Sequence, residues 1–274
     1  MKVIRHVKAL KDELSYLKNK NIGFVPTMGA LHMGHFSLIN QAKLKSDFVI
    51  ASIFVNPTQF DNKTDLANYP INLENDLKEL ENLDTDLLFC PSFDDLYANE
   101  NYIELNLNGI DQVLEGKKRF GHFEGVVRVL NIFFTLISPD VAIFGEKDFQ
   151  QFLVVKELAN QFFPSTKIIS YPTLREKNGL AMSSRNSRLS EDEKQVASKI
   201  FKTLNYCKNQ FEFSNIKELE NTCLNMLKEF SDPEYFEIRN SKTLSKEIKS
   251  FEKYRAFVAT KINGVRLIDN LAIN

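Results

Sequence analysis

The sequence of 274 residues predicts an α/β fold with a parallel sheet, followed by a smaller α+β domain. Three observations support this prediction. Short apolar runs alternate with stretches of helical periodicity up to Tyr171, an order typical of parallel sheets. After Tyr171 a polar stretch precedes two charged helical segments. Near the end, Asn263-Gly264 is a strong signal for a tight hairpin.

The elements of the first part are identified by their periodicity. Leu10, Leu14 and Leu17 recur at helical spacing, and the apolar run that ends at Pro26 is typical of a strand entering a loop. The segment around Phe133 and Phe134 is interpreted as core. The other predicted helices are 34–44, 73–83, 126–137 and 149–162, and the other strands are 48–55, 86–90, 141–144 and 167–171.

The second part has its own local signals. Ser190 and Glu193 form the pattern of a capping box that opens the first charged helix. Strands over 255–261 and 265–267 flank the hairpin turn. We therefore predict two domains, 1–174 and 175–274, and expect a ligand where the second closes over the first.

The composition argues against several classes of protein. Lys and Arg number 35 against 36 Asp and Glu, so the net charge of −1 disfavours binding to nucleic acid or to an acidic membrane surface. Cys90, Cys207 and Cys223 form no C-x-x-C pair, which disfavours a disulfide framework or a zinc ribbon. The sequence shows no signal peptide, and its apolar stretches are far shorter than the about 20 residues that a membrane-spanning helix needs. We expect a cytoplasmic protein.

The densest chemical signal lies at the first strand-to-helix junction. His32 and His35 are three residues apart, so they would share a face at the start of a helix, where amides and the helix dipole favour an anion. Gly34 lets a phosphate approach. The pattern predicts a phosphate site. The alternatives are two surface histidines in a tight turn or, less favoured, a metal-binding pair.

Two further clusters also follow predicted strands. Asn56 and Gln59 are neutral amides that could orient a small polar substrate, or could form a polar turn. In the other cluster, Lys147 offers a charge to phosphate, and Asp148 suits either a helix cap or a water ligand of Mg²⁺. Because the carboxyl ends of parallel strands share one edge, we expect these clusters to converge with the first.

A fourth cluster lies in the polar stretch between the predicted domains. Ser183, Ser184 and Arg185 carry two hydroxyls and a guanidinium that could close over phosphates. The alternative is a Ser-rich linker. In addition, His122 opens a predicted helix and could reach the site.

Several longer motifs occur together and in order. They are VPTMGALHMGH at 25–35, SIFVNPTQF at 52–60, GHFEGV at 121–126, FGEKDFQQ at 144–151, GLAMSSRN at 179–186 and RLIDN at 266–270. On these motifs the chain resembles the pantoate–β-alanine ligase (pantothenate synthetase) family of the nucleotidylyltransferase superfamily. His-x-Gly-His alone is weak support, because several transferases carry it, but the full set is specific.

The resemblance implies a Rossmann-like N-terminal domain, a homodimer and a dependence on Mg²⁺. It implies an ATP-dependent ligase that joins (R)-pantoate to β-alanine through a pantoyl adenylate, giving pantothenate, AMP and pyrophosphate. It also implies that Gln59 and Gln151 bind pantoate, that Gln59 lies near β-alanine, and that His35 donates a proton. The implied ATP site comprises Met28, Gly29, Ala30, Leu31, His32, Met33, Gly34, His35, Gly145, Glu146, Lys147, Asp148, Leu174, Met182, Ser183, Ser184 and Arg185.

For catalysis we expect four groups to stabilise charge on the α-phosphate: His32, His35, Lys147 and Arg185. Two other classes of function stay open. One is a nucleotidylyltransferase that keeps AMP on its product, which the neutral glutamines disfavour. The other is a nucleotide sensor or an RNA-binding relative of the aminoacyl-tRNA synthetases. The lack of a stripe of basic and aromatic residues disfavours the hypothesis of RNA binding.

Overall fold

A computed structural model describes residues 1–98 and 100–274 of the chain. The chain divides into two units. The first unit comprises Met1–Gly145 and Gln150–Pro172, and the second comprises Glu146–Phe149 and Thr173–Asn274. The fold is α/β, with a parallel sheet in the first unit and a small antiparallel sheet in the second, as the sequence predicts.

The first unit is built on a six-stranded parallel sheet with the order β1-β4-β3-β2-β5-β6. The strands are β1 (Lys2–Ile4), β2 (Ile22–Thr27), β3 (Phe48–Ile53), β4 (Leu87–Phe89), β5 (Val141–Gly145) and β6 (Lys167–Tyr171). Strands β3 and β5 lie on opposite sides of β2. The carboxyl ends of β2 and β5 therefore flank the point where the strand order reverses, which is where open α/β sheets bind ligands.

Helices accompany this sheet along the described part of the first unit. They are α1 (Val7–Leu14), α2 (Met33–Lys43), α3 (Lys63–Ala67), α4 (Leu73–Asn82), α5 (Phe93–Tyr97), α6 (Leu114–Lys118), α7 (His122–Ile137) and α8 (Phe149–Phe162), whose residues from Gln150 onward belong to the first unit. Short 3-10 turns lie at Pro57–Gln59 and Ile110–Gln112. The predicted interior role of the Phe-rich segment is confirmed, because Phe133 and Phe134 are buried with ring centroids 5.5 and 6.3 Å from that of Phe24.

Several bounds differ from the predicted ones for local reasons. Helix α1 ends at Leu14, so Leu17 lies beyond it. Strand β3 ends at Ile53 rather than at 55, and Asn56 then caps the following 3-10 turn. Helix α7 begins at His122, where the sequence predicts a helix to open, one turn before the apolar run at 126–137 and directly after Gly121, whose φ of +75° closes the preceding turn.

The second unit contains the strands β7 (Asp232–Asn240), β8 (Tyr254–Ile262) and β9 (Val265–Ala272) in that spatial order. Its helices are α9 (Glu191–Ala197), α10 (Lys199–Asn209) and α11 (Ile216–Lys228), with 3-10 turns at Glu146–Asp148 and Ser184–Arg188. The predicted hairpin is confirmed, since β8 and β9 pair directly across Asn263-Gly264, both of which have positive φ. The capping box of Ser190 and Glu193 is confirmed as well.

Two features of the second unit were not predicted. The two charged helical segments form three helices, because α9 and α10 are separate elements that meet at Ser198. Strand β7 carries Pro233 and several charges, so its sequence lacks a clear strand pattern. Cys90, Cys207 and Cys223 are free and buried. Among the described residues, no helix is long and apolar enough to cross a membrane.

Helix α7 packs closely against the turn that carries Gln59. A Cβ added at Gly125 would lie 2.4 Å from the backbone oxygen of Thr58, which is closer than real Cβ atoms come. Only a glycine therefore allows the backbone of the helix to approach the backbone of this turn. The contact sets the position of the 3-10 turn relative to α7.

We expect Gly125→Ala to destabilise the protein although alanine favours helices. Helix propensity alone would stabilise it by about 1 kcal/mol, but the clash is with backbone and should cost more, leaving a net loss of about 1–2 kcal/mol. Urea unfolding measures this. Gly145→Ala is the control, because its Cβ would meet only Leu38 Cδ1 at 3.8 Å. Equal stability of the two variants would contradict the role of Gly125.

Candidate functional site

The loop after β2 has an unusual backbone conformation. Gly29 and Ala30 both have positive φ, of +82° and +49°. This conformation is ordinary for glycine but disfavoured for alanine. At the start of the loop, the N–H of Gly29 donates to Thr27 Oγ1 at 3.2 Å, and that hydroxyl donates to the Ser52 carbonyl. The loop is thus tied to β3 before it reaches the histidines.

A buried carboxylate on α4 holds this loop in place. Asp76 is 1% exposed, and its two oxygens accept the N–H groups of Ala30 and Leu31 at 2.8 and 2.7 Å. Burial raises the pKa of Asp76, and the two backbone hydrogen bonds act in the opposite direction. The carboxylate therefore stabilises two consecutive amides of the loop that the sequence predicts to bind phosphate.

Asp76 was not among the predicted site residues. Its signal in the sequence is a carboxylate on an otherwise apolar helix face, because it lies three residues after Leu73 and four before Leu80. A charged residue on a buried face normally has a partner. The partner here is backbone, which has no side-chain signature in the sequence.

The two histidines cap helix α2 reciprocally. The N–H of Gly34 donates to Nδ1 of His32 at 3.1 Å, and the N–H of His32 donates to Nδ1 of His35 at 3.3 Å. The ring centroids are 4.1 Å apart. Since each Nδ1 accepts a hydrogen bond, each neutral ring carries its proton on Nε2. In the His-x-Gly-His motif, Nδ1 of each histidine thus accepts a backbone N–H at the start of the helix, and Nε2–H is the donor of each ring.

The cluster after β3 lies against the loop after β2. Gln59 is buried, and its Nε2 donates to the sulfur of Met28 at 3.1 Å. Its Oε1 accepts from Nδ2 of Asn56 at 3.0 Å. The first and second clusters therefore converge at the carboxyl edge of the sheet, as the argument from parallel strands expects.

His122 does reach this region. Its Nδ1 lies 2.8 Å from the backbone oxygen of Gln59, and its Nε2 lies 3.0 Å from Nη1 of Arg119. Because a guanidinium only donates and a carbonyl only accepts, His122 is the neutral ring with its proton on Nδ1. Its contact is with the backbone of Gln59, so His122 holds the turn.

The adjacent glutamines on α8 differ in their surroundings. Gln150 is buried, accepts the N–H of Glu115 at 2.9 Å, and donates to the carbonyls of Ile110 and Val113 at 2.7 and 2.8 Å. It therefore ties α8 to the turn before α6. Gln151 is half-buried. Of the pair, Gln151 is the more exposed, and its role in binding pantoate stays a prediction.

The turn that carries Lys147 is held within the second unit. Asn270 on β9 donates from Nδ2 to the backbone oxygens of Glu146 and Lys147 at 2.9 and 2.8 Å. Arg255 on β8 donates to Glu146 Oε2 at 3.0 Å, and its guanidinium carbon lies 3.9 Å from the ring centroid of Phe149. Two residues distant in the sequence, Asn270 and Arg255, thus hold the turn.

The ammonium of Lys147 lies 3.8 Å from Oδ1 of Asp148. The side chain of Lys147 is 17% exposed and that of Asp148 is 48% exposed. Lys147 is thus a partly desolvated positive charge beside a carboxylate that water can reach, a combination suited to an anionic ligand with a hydrated cation.

The remaining predicted residues form a second segment of this unit. Met182 N–H donates to the Leu174 carbonyl at 3.0 Å, which closes a short hairpin, and Ser183 Oγ accepts the N–H of Arg185 at 3.3 Å. Strand β9 contacts both this segment and the 3-10 turn of Lys147. The third and fourth clusters are thus both organised around the last strand. Ser183, Ser184 and Arg185 are half-buried.

Comparisons with known proteins identify the family. The model of the family described as pantoate-beta-alanine ligase matches residues 2–272. The chain belongs to this family. The resemblance and the enzyme class inferred from the sequence are thereby confirmed.

Individual members of the pantoate-beta-alanine ligase family match the chain over its length. The pantothenate synthetase of Christiangramia forsetii is 43% identical over 282 residues and covers 100% of both chains. The solved pantothenate synthetase from Thermus thermophilus superposes with a TM-score of 0.89 at 33% identity, covering 100% of this chain and 99% of that one. The ligase from Francisella tularensis, complexed with beta-gamma ATP and beta-alanine, gives 0.82 at 39% identity, covering 99% and 97%.

We expect the buried carboxylate of Asp76 to make stability depend on pH in a defined direction. Its pKa is higher in the folded protein than in the unfolded chain, so the folded state binds more protons between the two pKa values, and stability falls as pH rises through that interval. Urea unfolding of the parent and of Asp76→Asn, from about pH 4 upward, measures this. The stability of the parent should fall relative to the variant as pH rises. A rise would contradict the assignment.

Proposed function

We propose that this chain condenses (R)-pantoate with β-alanine at the expense of ATP, through a pantoyl adenylate. The family match over almost the whole chain supports this proposal. So does the ligase from Francisella tularensis, which was solved with beta-gamma ATP and beta-alanine and is 39% identical. We further propose that the protein works as a homodimer in the cytoplasm.

The observation that carries the proposal is the contact between Gln59 and Met28. It places a neutral amide, suited to a hydroxy acid, beside the loop that leads to His32 and His35. This contact supports a site for the acid next to a site for phosphate. That adjacency is what the transfer of an adenylyl group to a carboxylate requires, because the reacting atoms must be held close together.

In the first step an oxygen of the pantoate carboxylate attacks the α-phosphorus of ATP. The bond from that phosphorus to the bridging oxygen of the β-phosphate breaks, and pyrophosphate leaves. Both reactants are anions, so donors must neutralise the charge that develops on the α-phosphoryl oxygens. We assign this role to the Nε2–H groups of His32 and His35, the ammonium of Lys147 and the guanidinium of Arg185.

In the second step the amine of β-alanine attacks the pantoyl carbonyl carbon. The bond from that carbon to the phosphate oxygen breaks, AMP leaves and the nitrogen loses a proton. Adenylation makes this possible because a phosphate is a better leaving group than the oxide of a free carboxylate. The side chains of this chain orient and stabilise, and none is required as a nucleophile. Burial raises the pKa of Cys90 to about 11, which leaves it a neutral thiol.

We propose that Mg²⁺ enters with ATP as part of the substrate and offsets phosphate charge. Asp148, exposed beside Lys147, is the carboxylate that we expect to accept hydrogen bonds from water on such an ion.

The remaining roles follow the resemblance. Residues 28–35, 145–148, 174 and 182–185 bind ATP, Gln59 and Gln151 bind pantoate, and Gln59 also lies near β-alanine.

Lys147→Ala should lower the turnover of pantoate-dependent pyrophosphate release about 10²–10³-fold, the usual effect of losing one donor to a transition state. Pyrophosphate and AMP are measured separately. Pyrophosphate release should need ATP and pantoate, and AMP release should need β-alanine as well.

The matched control is Lys208→Ala, which removes an exposed lysine from α10 and should leave turnover unchanged. Undiminished turnover of a folded Lys147→Ala variant would contradict the role of Lys147. Pyrophosphate release without pantoate, or AMP release without β-alanine, would contradict the proposed reaction itself.

A further inference from the structure

The direction in which the Gln59 amide points determines which chemical groups it can bind. Its oxygen accepts hydrogen bonds and its nitrogen donates them, although the two ends have nearly the same shape. A ligand oxygen would need the nitrogen, and a ligand ammonium would need the oxygen. The contacts of the neighbouring Asn56 determine this direction.

Asn56 is 1% exposed and touches two backbone groups of unambiguous polarity. The N–H of Thr58 can only donate, and it lies 3.3 Å from Oδ1 of Asn56. The carbonyl of Gly125 can only accept, and it lies 3.0 Å from Nδ2. Rotating the amide by half a turn would place oxygen against oxygen and nitrogen against a donor, so these two backbone groups favour the observed orientation of Asn56.

The orientation of the Asn56 amide in turn determines the orientation of the Gln59 amide. Nδ2 of Asn56 also donates to Gln59 at 3.0 Å, so the atom of Gln59 at that point must be the acceptor Oε1. Nε2 of Gln59 therefore lies on the opposite side, where it donates to the sulfur of Met28. A thioether is a weak acceptor, and a ligand oxygen is a better one.

Tyr97 supports this arrangement from the far side of Asn56. Its hydroxyl lies 2.8 Å from Oδ1 of Asn56 and 3.0 Å from Oγ1 of Thr58. Burial raises the pKa of Tyr97, so the hydroxyl keeps its proton at neutral pH. The interaction with Oδ1 would be lost if Asn56 turned its nitrogen toward Tyr97 in place of its oxygen.

The ring of Tyr97 is itself held from two sides. Phe93 stacks on it with ring centroids 4.4 Å apart and an interplanar angle of 19°. The guanidinium carbon of Arg128 lies 5.4 Å from the ring centroid, and two nitrogens of Arg128 donate to Glu100 at 2.6 and 2.9 Å. These contacts hold the ring, and with it the hydroxyl, in position against Asn56.

We propose that Tyr97 is a positioning residue that acts through Asn56 to keep the N–H side of Gln59 toward the substrate. The inference rests on the proposed function, in which Gln59 binds pantoate. It deepens that function, because it makes the group that Gln59 recognises a hydrogen-bond acceptor, a carboxylate or hydroxyl oxygen. An ammonium at the same point would meet the N–H groups and be disfavoured.

The test is a double-mutant cycle on the KM for pantoate. Tyr97→Phe removes one hydrogen bond to Asn56 and should raise that KM about 2- to 10-fold, with the KM for ATP unchanged. In a Gln59→Ala background, the same substitution should have no further effect, because the amide through which Tyr97 acts is gone. The same factor in both backgrounds, or no change in the parent background, would overturn the proposal.

A second background covers the case in which Gln59→Ala is too slow for kinetics. Asn56→Asp has no N–H to donate to Gln59, so Tyr97→Phe should again have no further effect. In the Asn56→Asp background, the dissociation constant for pantoate, measured by calorimetry, takes the place of KM. An unchanged effect of Tyr97→Phe in this background would also overturn the proposal.

Tyr102→Phe is the matched control, since Tyr102 is 90% exposed, and it should leave both KM values unchanged. Loss of stability with unchanged KM for pantoate in Tyr97→Phe would mean a merely structural role and would overturn the proposal. If the parent protein releases no pyrophosphate with ATP and pantoate, the proposed function fails first. If the parent is active and only the coupling is absent, the positioning role alone fails.

Discussion

The hydrogen bonds that Asp76 accepts from the amides of Ala30 and Leu31 are the constraint on which the candidate site depends. A buried carboxylate is stable only when its oxygens are satisfied, and a loop with two consecutive positive φ angles is stable only when something holds it. Each of these unfavourable features offsets the other. The loop places the two histidines, and with them the start of α2, so the carboxylate on a neighbouring helix determines where the imidazoles lie.

The same principle operates throughout both units. Side chains with no proposed role in the reaction hold the residues that have one, and they come from distant parts of the sequence. Asn270, four residues from the last residue of the chain, holds the carbonyls of the Lys147 turn. His122 holds the carbonyl of Gln59. Hydrogen bonds to backbone suit this purpose because a carbonyl or an N–H has one polarity.

The sequence alone predicts much of this fold and rather less of the site. Apolar periodicity is a local property, so it locates the strands β2, β3, β5 and β6 and the helix α8 closely. It does not locate β1, which has three residues at the edge of the sheet, or β7, whose charges hide its pattern. Residue types at strand ends also predict the clusters, because parallel strands bring their carboxyl ends to one edge.

What stays hidden is the individual hydrogen bonds between distant residues. Gln150 and Gln151 are chemically identical, and only the fold shows that the first is bonded to the segment before α6. Nothing local marks Asp76 as the holder of a loop 45 residues away. The capping role of His32 is also unexpected, since histidine is not a usual residue at the start of a helix.

That reciprocal cap has a consequence for how the motif can change over time. A serine or an aspartate at position 32 could satisfy the helix end, but it would bring no nitrogen-bound proton to a ligand. Conversely, an imidazole placed there without its partner at 35 would lose the amide bond that orients the pair. The two positions are therefore coupled, because a substitution at either one removes a hydrogen bond of the reciprocal cap.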